Sequence, residues 1–172
     1  MDYRDEEKRL LKFIVASAAF LFVGTVHGVL QVIRPVRAYL DSIGSPYGGP
    51  GHMIDPLAHA HINVVGGVVV LLMAVSYFLI PRITKQRLFS YKLLEHSFWW
   101  TSCGLIGFYS TLLIFGFWEG ELLLAGETER MAEVHTYYGR TIAIVATGMG
   151  IGFWVYFANI FTTYYKYRAS KK

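Results

Sequence analysis

Charge and cysteine are both scarce in this sequence. Asp, Glu, Lys and Arg together account for 16% of the 172 residues, whereas about a quarter is usual in soluble domains. A surface with so little charge is expected when lipid rather than water covers most of it. The one cysteine, Cys103, excludes an intramolecular disulfide and gives no support to a cysteine-based zinc site.

The excess of basic residues is small, with a net charge of +4, and its distribution argues against a nucleic-acid partner. Lysines and arginines occur in short groups beside apolar segments, a pattern typical of membrane orientation signals. Hydrophobic residues make up 54% of the chain. We therefore expect the lipid bilayer to be its main environment and no nucleic acid to be bound.

Four apolar segments contain no Asp, Glu, Lys or Arg, and each is long enough to cross a hydrocarbon core of about 30 Å. They cover residues 13–33, 57–80, 98–117 and 141–164. They predict an all-α membrane protein, a four-transmembrane-helix bundle that forms a single domain over residues 1–172. The first segment is too long for the core of a signal peptide, and no small-residue cleavage site follows it, so we expect it to be retained.

The basic residues predict the orientation of the bundle. Four lie on one side of the membrane: Arg34, Arg37, Arg130 and Arg140. The other side carries Arg4, Lys8, Arg9, Lys12, Arg82, Lys85, Arg87, Lys92, Lys166, Arg168, Lys171 and Lys172. By the positive-inside rule, both termini are cytoplasmic. We expect a multi-pass integral protein of a bacterial or archaeal cytoplasmic membrane.

Glycine and proline mark the connections between the segments. Turn-forming residues crowd the first outer loop at 44–51, so we expect irregular backbone there, after a short interfacial helix near 37–43. Pro81 is expected to end the second span. In the last span, Gly148, Gly150 and Gly152 predict a small-residue face suited to close helix packing.

Histidines inside the apolar segments are the most informative feature. At a rise of about 1.5 Å per residue, His27 lies roughly 9 Å from the outer end of its span, and His59 and His61 lie roughly 3 and 6 Å inside theirs. We therefore expect three imidazoles at one level near the outer face, where polar groups are costly and indicate function. His135 lies just before the fourth span, whereas His52 is expected to be solvated and His96 interfacial.

The spacing of His59 and His61 restricts the chemistry. Residues two apart on a helix point about 200° apart, so these two imidazoles cannot bind one metal from a regular helix, and a zinc pair would be spaced by four. They can serve two centres on opposite sides of the helix. Haem iron, which commonly takes an axial imidazole, fits this better. The alternative is hydrogen bonding between helices or at the headgroup level.

The stretch LAHAHINVVGG, followed by VSYFLIPRI, resembles the tenth helix of haem-copper oxidase subunit I in the branch of cytochrome c oxidases and nitric oxide reductases. It shares the His-x-His pair and the Tyr-x-x-x-Pro ending at Tyr77 and Pro81. SYKLLEHSFWWTSCGLIGFYS resembles the eleventh helix and residues 138–158 the twelfth, and GTVHGVLQVIRPV more weakly resembles the ninth. The resemblance implies the last four helices of a twelve-helix subunit.

The same resemblance implies one or two b-type haems. By family order, His59 would bind the high-spin haem and His61 the low-spin haem. The copper-binding histidines of the family have no counterpart here, so no complete binuclear centre is expected. A second axial ligand must come from His27, His135, another copy or another subunit. Outer basic residues pair with haem propionates in the family, which makes candidates of Arg34, Arg37, Arg130 and Arg140; lipid headgroup contact is the alternative.

The leading functional prediction is a haem b electron-transfer protein within a respiratory complex. Its partners would be other membrane subunits or a second copy, with a c-type cytochrome or quinol as the redox partner. A haem with an open position that binds nitric oxide or oxygen is one alternative. A structural accessory subunit is another, and a reductase completed by ligands from a partner chain is the last.

Overall fold

The computed structural model describes the backbone of residues 4–171 and the side chains of residues 7–171. Lys172 and the side chain of Arg4, both counted in the orientation prediction, lie outside the described residues. The helices are α1 (Arg4–Leu30), α2 (Arg34–Ser42), α3 (Gly49–Thr84), α4 (Tyr91–Leu124) and α5 (Thr128–Ala169). Within the described residues no strand is present, and α1, α3, α4 and α5 are long and apolar enough to cross a membrane. The predicted all-α bundle of four spanning helices is therefore confirmed, while the cytoplasmic placement of the termini stays a prediction.

The spanning helices extend beyond the apolar segments that predicted them. The largest difference is at α5, which begins at Thr128, about three and a half turns before the predicted segment. Polar side chains at a membrane surface do not end a helix, because water or headgroups solvate them while the backbone bonds continue. His135 consequently lies within α5 and not before it.

Two of the predicted boundaries were wrong. Residues 44–48 form the expected turn, with Gly44 at φ 98°, but α3 already begins at Gly49, because Pro50 is tolerated in a first helical turn. His52 is therefore helical. At the other end, α3 continues past the buried Pro81 to Thr84, since a proline removes a single backbone donor. It ends where Lys85 adopts a left-handed conformation.

The N-terminal half of α3 is irregular around its two histidines. Residues Ile62–Val69 are π-helical, and the α-helical turn His59–His61 precedes them. The segment Met53–Ala58 is broken by a kink at Asp55, whose torsions are extended at φ −134° and ψ 112°. Short π-helical segments often occur at functional sites, because they redirect side chains relative to a regular helix.

α3 lies between α1 and α4, and their contacts form the core. Fully buried side chains in the half of the bundle nearer the chain termini include Phe13, Met73, Tyr77 and Leu105. α5 packs along α4, and glycine permits close contact at two points. A Cβ on Gly104 would lie 2.4 Å from the backbone nitrogen of Met149, and one on Gly152 would lie 2.2 Å from Thr101 Oγ1. By contrast, Gly150 faces open space.

Candidate functional site

The imidazoles of α1 and α3 meet near the C-terminal end of α1 and in the N-terminal half of α3. The ring centres of His27 and His59 are 5.5 Å apart, and their planes are perpendicular. Two glycines of α1 permit this close approach because they have no side chain. A Cβ on Gly28 would lie 2.7 Å from His59 Cε1, and one on Gly24 would lie 2.2 Å from Asn63 Oδ1. The expectation that histidines of these two helices reach one level is confirmed for this pair.

Hydrogen bonds orient His27 but leave His59 incompletely satisfied. The buried His27 has its Nδ1 3.0 Å from the hydroxyl oxygen of Tyr109, which reaches it from α4. His59 Nδ1 is buried and has no hydrogen-bond partner among the described residues. Its Nε2 lies 3.5 Å from the amide nitrogen of Asn63, a long contact. Buried polar atoms without partners are costly and call for an explanation.

His61 turns to the other side of α3. Its ring centre lies 4.6 Å from that of Phe108 on α4, so the two histidines of the pair do face different neighbours. His61 Nδ1 lies 2.8 Å from the carbonyl oxygen of Leu57. A carbonyl only accepts, so Nδ1 carries the proton and Nε2 keeps a free lone pair. Metal-binding histidines usually show this arrangement, in which a backbone carbonyl fixes the tautomer and the ring orientation.

The fit of a haem differs between these imidazoles. Metal–imidazole bonds are about 2 Å long, so two imidazoles on opposite faces of one haem have ring centres roughly 6 Å apart, with the macrocycle between them. His27 and His59 are closer, at 5.5 Å, and the backbone of Gly28 lies beside the His59 ring, since a Cβ there would be 2.7 Å from Cε1. A haem shared by these two imidazoles would therefore require them to move apart. His61 is half-buried beside Phe108 and has a free Nε2, so it could bind a haem iron as one axial ligand without the other two histidines.

A groove beside His27 is the second feature of the site. It has a volume of about 580 Å³, within the usual range of ligand pockets, and lies between α1, α2 and α4. Its apolar walls include Val26, Leu30, Val36, Leu113 and Phe117. Gln31 Oε1 and Tyr39 Oη also line it, and both atoms are buried. Neither makes a hydrogen bond of 3.5 Å or less among the described residues, although the Glu121 carboxylate is near enough to the Tyr39 hydroxyl to contribute, after burial, to its raised pKa.

The guanidinium of Arg37 forms hydrogen bonds with acceptors within the protein. Its guanidinium donates to Asp55 at 2.6 Å, to Asp41 at 2.9 Å and to the Ser45 hydroxyl at 2.7 Å. The hydrogen bond to Asp55, followed by that to Asp41, raises the pKa of Arg37 above its ordinary value. This network ties α2 to the start of α3. The other candidate arginines, Arg34, Arg130 and Arg140, are exposed, and Arg130 lies 3.2 Å from Glu127.

The remaining histidines lie apart from these imidazoles. His135 Nδ1 donates to the carboxylate of Glu119, 3.1 Å from both oxygens, and this carboxylate is almost fully buried. His52 Nδ1 donates to the Pro46 carbonyl at 2.6 Å, and His96 is exposed in the first turns of α4. Among residues 7–171, no three His, Cys, Asp or Glu side chains come together as a group that could hold a metal ion.

Sequence reasoning missed Tyr109, Gln31 and Tyr39. Tyr109 meets His27 across 82 positions of sequence, so no local pattern connects them. Gln31 could have been noticed in the sequence, because it is a polar residue near the end of an apolar segment. Tyr39 lies on the expected interfacial helix, but the sequence does not indicate that its hydroxyl is buried.

Comparison with known proteins gives two matches. Residues 3–145 match the family described as "Cytochrome C and Quinol oxidase polypeptide I", a range that includes His27, His59, His61 and His135. The chain is also similar to the cbb3-type cytochrome c oxidase subunit CcoN1 of Stutzerimonas stutzeri. The two are 24% identical over 113 residues, which are 64% of this chain and 22% of that relative. The chain therefore spans about a fifth of the length of this relative.

Proposed function

The chain belongs to the family of cytochrome c and quinol oxidase polypeptide I, and from this premise we propose that it is a haem b-binding electron-transfer subunit of a respiratory membrane complex. It is an integral, multi-pass membrane protein with four candidate spans. The correspondence of its helices to the last four of the larger subunit stays a prediction, because the match to the relative covers 22% of that protein.

The orientation of His61 is the observation that carries the proposal. Its Nδ1–H donates to the Leu57 carbonyl at 2.8 Å, which leaves Nε2 as a free base and fixes the plane of the ring. The ring is half-buried in an apolar setting beside Phe108. A neutral imidazole held in this way is ready to bind iron without first breaking a hydrogen bond at Nε2.

The chain's own residues would hold and tune the group, while a bound haem would supply one-electron redox chemistry. His61 would be an axial ligand, and Phe108 of α4 would contact the site around His61. The apolar surroundings would exclude water, and burial and hydrogen bonding are the main ways in which a protein adjusts a haem potential. His59 would stay on the opposite side of α3, in contact with His27.

The groove beside His27 supports a second, separate position. The Tyr109 hydroxyl lies 3.0 Å from Nδ1 of His27, and in the tautomer in which Nδ1 donates to it, Nε2 is free to act as a ligand atom. The Tyr39 hydroxyl and the Gln31 amide are polar groups on the groove wall that can meet the carboxylates of a haem. This position accounts for a second haem, if two are bound, without requiring His27 and His59 to share one.

The electron partner belongs to the proposal as well. The end of α4, the connection and the start of α5 carry four exposed carboxylates, Glu121, Glu127, Glu129 and Glu133, and on the predicted orientation this surface faces outward. A basic c-type cytochrome suits such a surface by charge. A lipid-soluble quinol is the alternative donor.

Haem content is the direct test. The native protein is purified in detergent and analysed by a pyridine haemochrome spectrum, together with His61→Ala and the control His96→Ala, which changes an exposed histidine far from the site. We expect a b-type spectrum in the native protein and in His96→Ala, with a loss of haem in His61→Ala. Native protein that binds no haem would contradict the proposal and favour a structural accessory subunit.

A further inference from the structure

The groove between α1, α2 and α4 opens towards the bilayer. Phe22 of α1 and Phe117 of α4 lie on its wall and are exposed by 70% and 46%. On a chain that spans a membrane, exposed apolar side chains of this kind meet lipid. A molecule that enters the groove must therefore be lipid-soluble.

Aromatic side chains form much of the groove wall. They include Phe22, Tyr39, Tyr109 and Phe117. The rings of Tyr39 and Phe117 are stacked, with centres 6.0 Å apart and planes at 24°. Aromatic rings pair favourably in offset or edge-to-face arrangements, so the groove suits a flat aromatic ligand.

Two buried oxygens in the groove are open to accept a hydrogen bond. Gln31 Oε1 is a carbonyl oxygen, which only accepts, and it has no partner among the described residues. Tyr39 Oη lies against α4, where a Cβ on Gly120 would be 3.0 Å from it. Burial and, after it, the Glu121 carboxylate raise the pKa of Tyr39. Because a carboxylate cannot donate, the Tyr39 proton turns towards Glu121 and leaves lone pairs of Oη open.

These open oxygens determine which chemical group fits the groove. A haem carboxylate could meet the amide nitrogen of Gln31, but it would leave Oε1 without a partner and bring a second negative charge near Glu121. A hydroxyl group carries a proton that either open oxygen can accept. A second haem and a hydroxyl-bearing ligand exclude each other in this groove, and the wall favours the hydroxyl.

We propose that the groove binds a lipid-soluble phenol, with its ring among the aromatic side chains and its hydroxyl donating to Gln31 Oε1. A ligand of this class gives the buried carbonyl the partner that the described residues do not provide. The quinol named above as the alternative electron donor is one member of the class. The inference concerns binding alone and does not depend on a haem at His61.

The test compares two probes that differ in a single proton donor, para-heptylphenol and its methyl ether. Their binding to the full chain in lipid nanodiscs is measured by equilibrium dialysis, with binding to empty nanodiscs subtracted. We expect native protein to bind the phenol about tenfold more tightly than the ether, because the ether leaves Gln31 Oε1 unpaired. Gln31→Met, which keeps the length of the side chain, should bind both probes equally.

The matched control is Gln86→Met, which changes the other glutamine of the sequence. Gln86 lies between α3 and α4 and donates to Ser170 near the C-terminus, so this variant should retain the preference for the phenol. Thermal unfolding checks the fold of Gln31→Met. Its midpoint should be unchanged or higher, since a buried unpartnered oxygen is removed. A lower midpoint would show that this oxygen is already partnered and would contradict the proposal.

Three binding results would overturn the proposal. They are equal affinity of native protein for phenol and ether, a preference that survives in Gln31→Met, and dodecanol bound as tightly as the phenol. The last result would assign the groove to an aliphatic hydroxyl lipid. His61→Ala should bind the phenol as native protein does. Loss of haem in that variant and loss of the phenol preference in Gln31→Met are therefore separate results, so failure of this inference is distinct from failure of the proposed function.

Discussion

His27 and His59 meet edge to face, with 5.5 Å between their ring centres. This contact fixes α1 against α3 at the level where His61, two residues further on, turns towards α4. One short segment of α3 therefore presents His59 to the buried His27 of α1 on one side and His61 to Phe108 of α4 on the other. The close contact of His27 with His59 makes His61 the better candidate ligand of the His-x-His pair.

Gly28 controls the spacing of this pair. In Gly28→Ala, the new methyl group would lie 2.7 Å from His59 Cε1, so we expect α1 and α3 to separate and stability to fall by about 1–3 kcal/mol. The control is Gly150→Ala, where the added atom meets nothing within 4 Å, and we expect no loss of stability. Thermal unfolding in detergent measures both variants, and equal midpoints would contradict the packing described for α1 and α3.

The buried carboxylate of Glu119 depends on His135. In His135→Ala, this carboxylate loses its imidazole partner, and we expect destabilisation of about 1–3 kcal/mol. Adding Glu119→Gln should restore part of the loss, because a neutral amide is less costly to bury than an unpaired charge. The comparison of the single and double variants in the same unfolding assay is decisive, and a double variant less stable than His135→Ala would refute the pairing.

The contact between Arg37 and Asp55 should couple α2 to α3. A double-mutant cycle with Arg37→Ala and Asp55→Ala is expected to give a coupling of about 1–3 kcal/mol, since the pair is charge-assisted and partly buried. The exposed pair Arg130–Glu127 serves as the control and should give less than about 1 kcal/mol. Equal couplings in the two cycles would show that α2 is not fixed by Arg37.

Alkaline pH should weaken the packing of α2 through Tyr39. Burial, and next the Glu121 carboxylate, raises the pKa of Tyr39 to about 12, compared with about 10 in an unfolded chain. The unfolded state therefore loses its proton first, so the contribution of Tyr39 is complete below about pH 10 and is lost as pH rises towards 12. Unfolding midpoints across this window should fall less in Tyr39→Phe than in Tyr47→Phe, which changes a tyrosine that is 97% exposed.

The sequence predicted the spans well, because a bilayer imposes a minimum apolar length and excludes charge. It predicted helix ends poorly, since helices continue into the polar interface, as α5 does at Thr128. Pro81 was a misleading signal, because one missing backbone donor does not stop a helix that is otherwise well packed. The early start of α3 at Gly49 depends on the local turn, which a count of turn-forming residues does not specify.

The sequence predicted that the two histidines face different sides of α3, but it did not predict the contacts that fix their positions. The two-residue spacing of His59 and His61 indicated that they face opposite sides, as their contacts with His27 and Phe108 confirm. The tight approach of α1 depends on Gly28, whose role emerges only when both helices are placed. The contact between Tyr109 and His27 depends on tertiary structure alone. Ligation of iron by any of these histidines stays a prediction.

The most direct measurement of that ligation is chemical rescue of His61→Gly. Removing the side chain leaves a space in which free imidazole can take the position of the lost ring, while every other residue is unchanged. We expect His61→Gly to lose the native haem absorption spectrum and added imidazole to restore it, with no such response in His96→Gly. A native spectrum in His61→Gly before imidazole is added would contradict the assignment of His61 as the axial ligand.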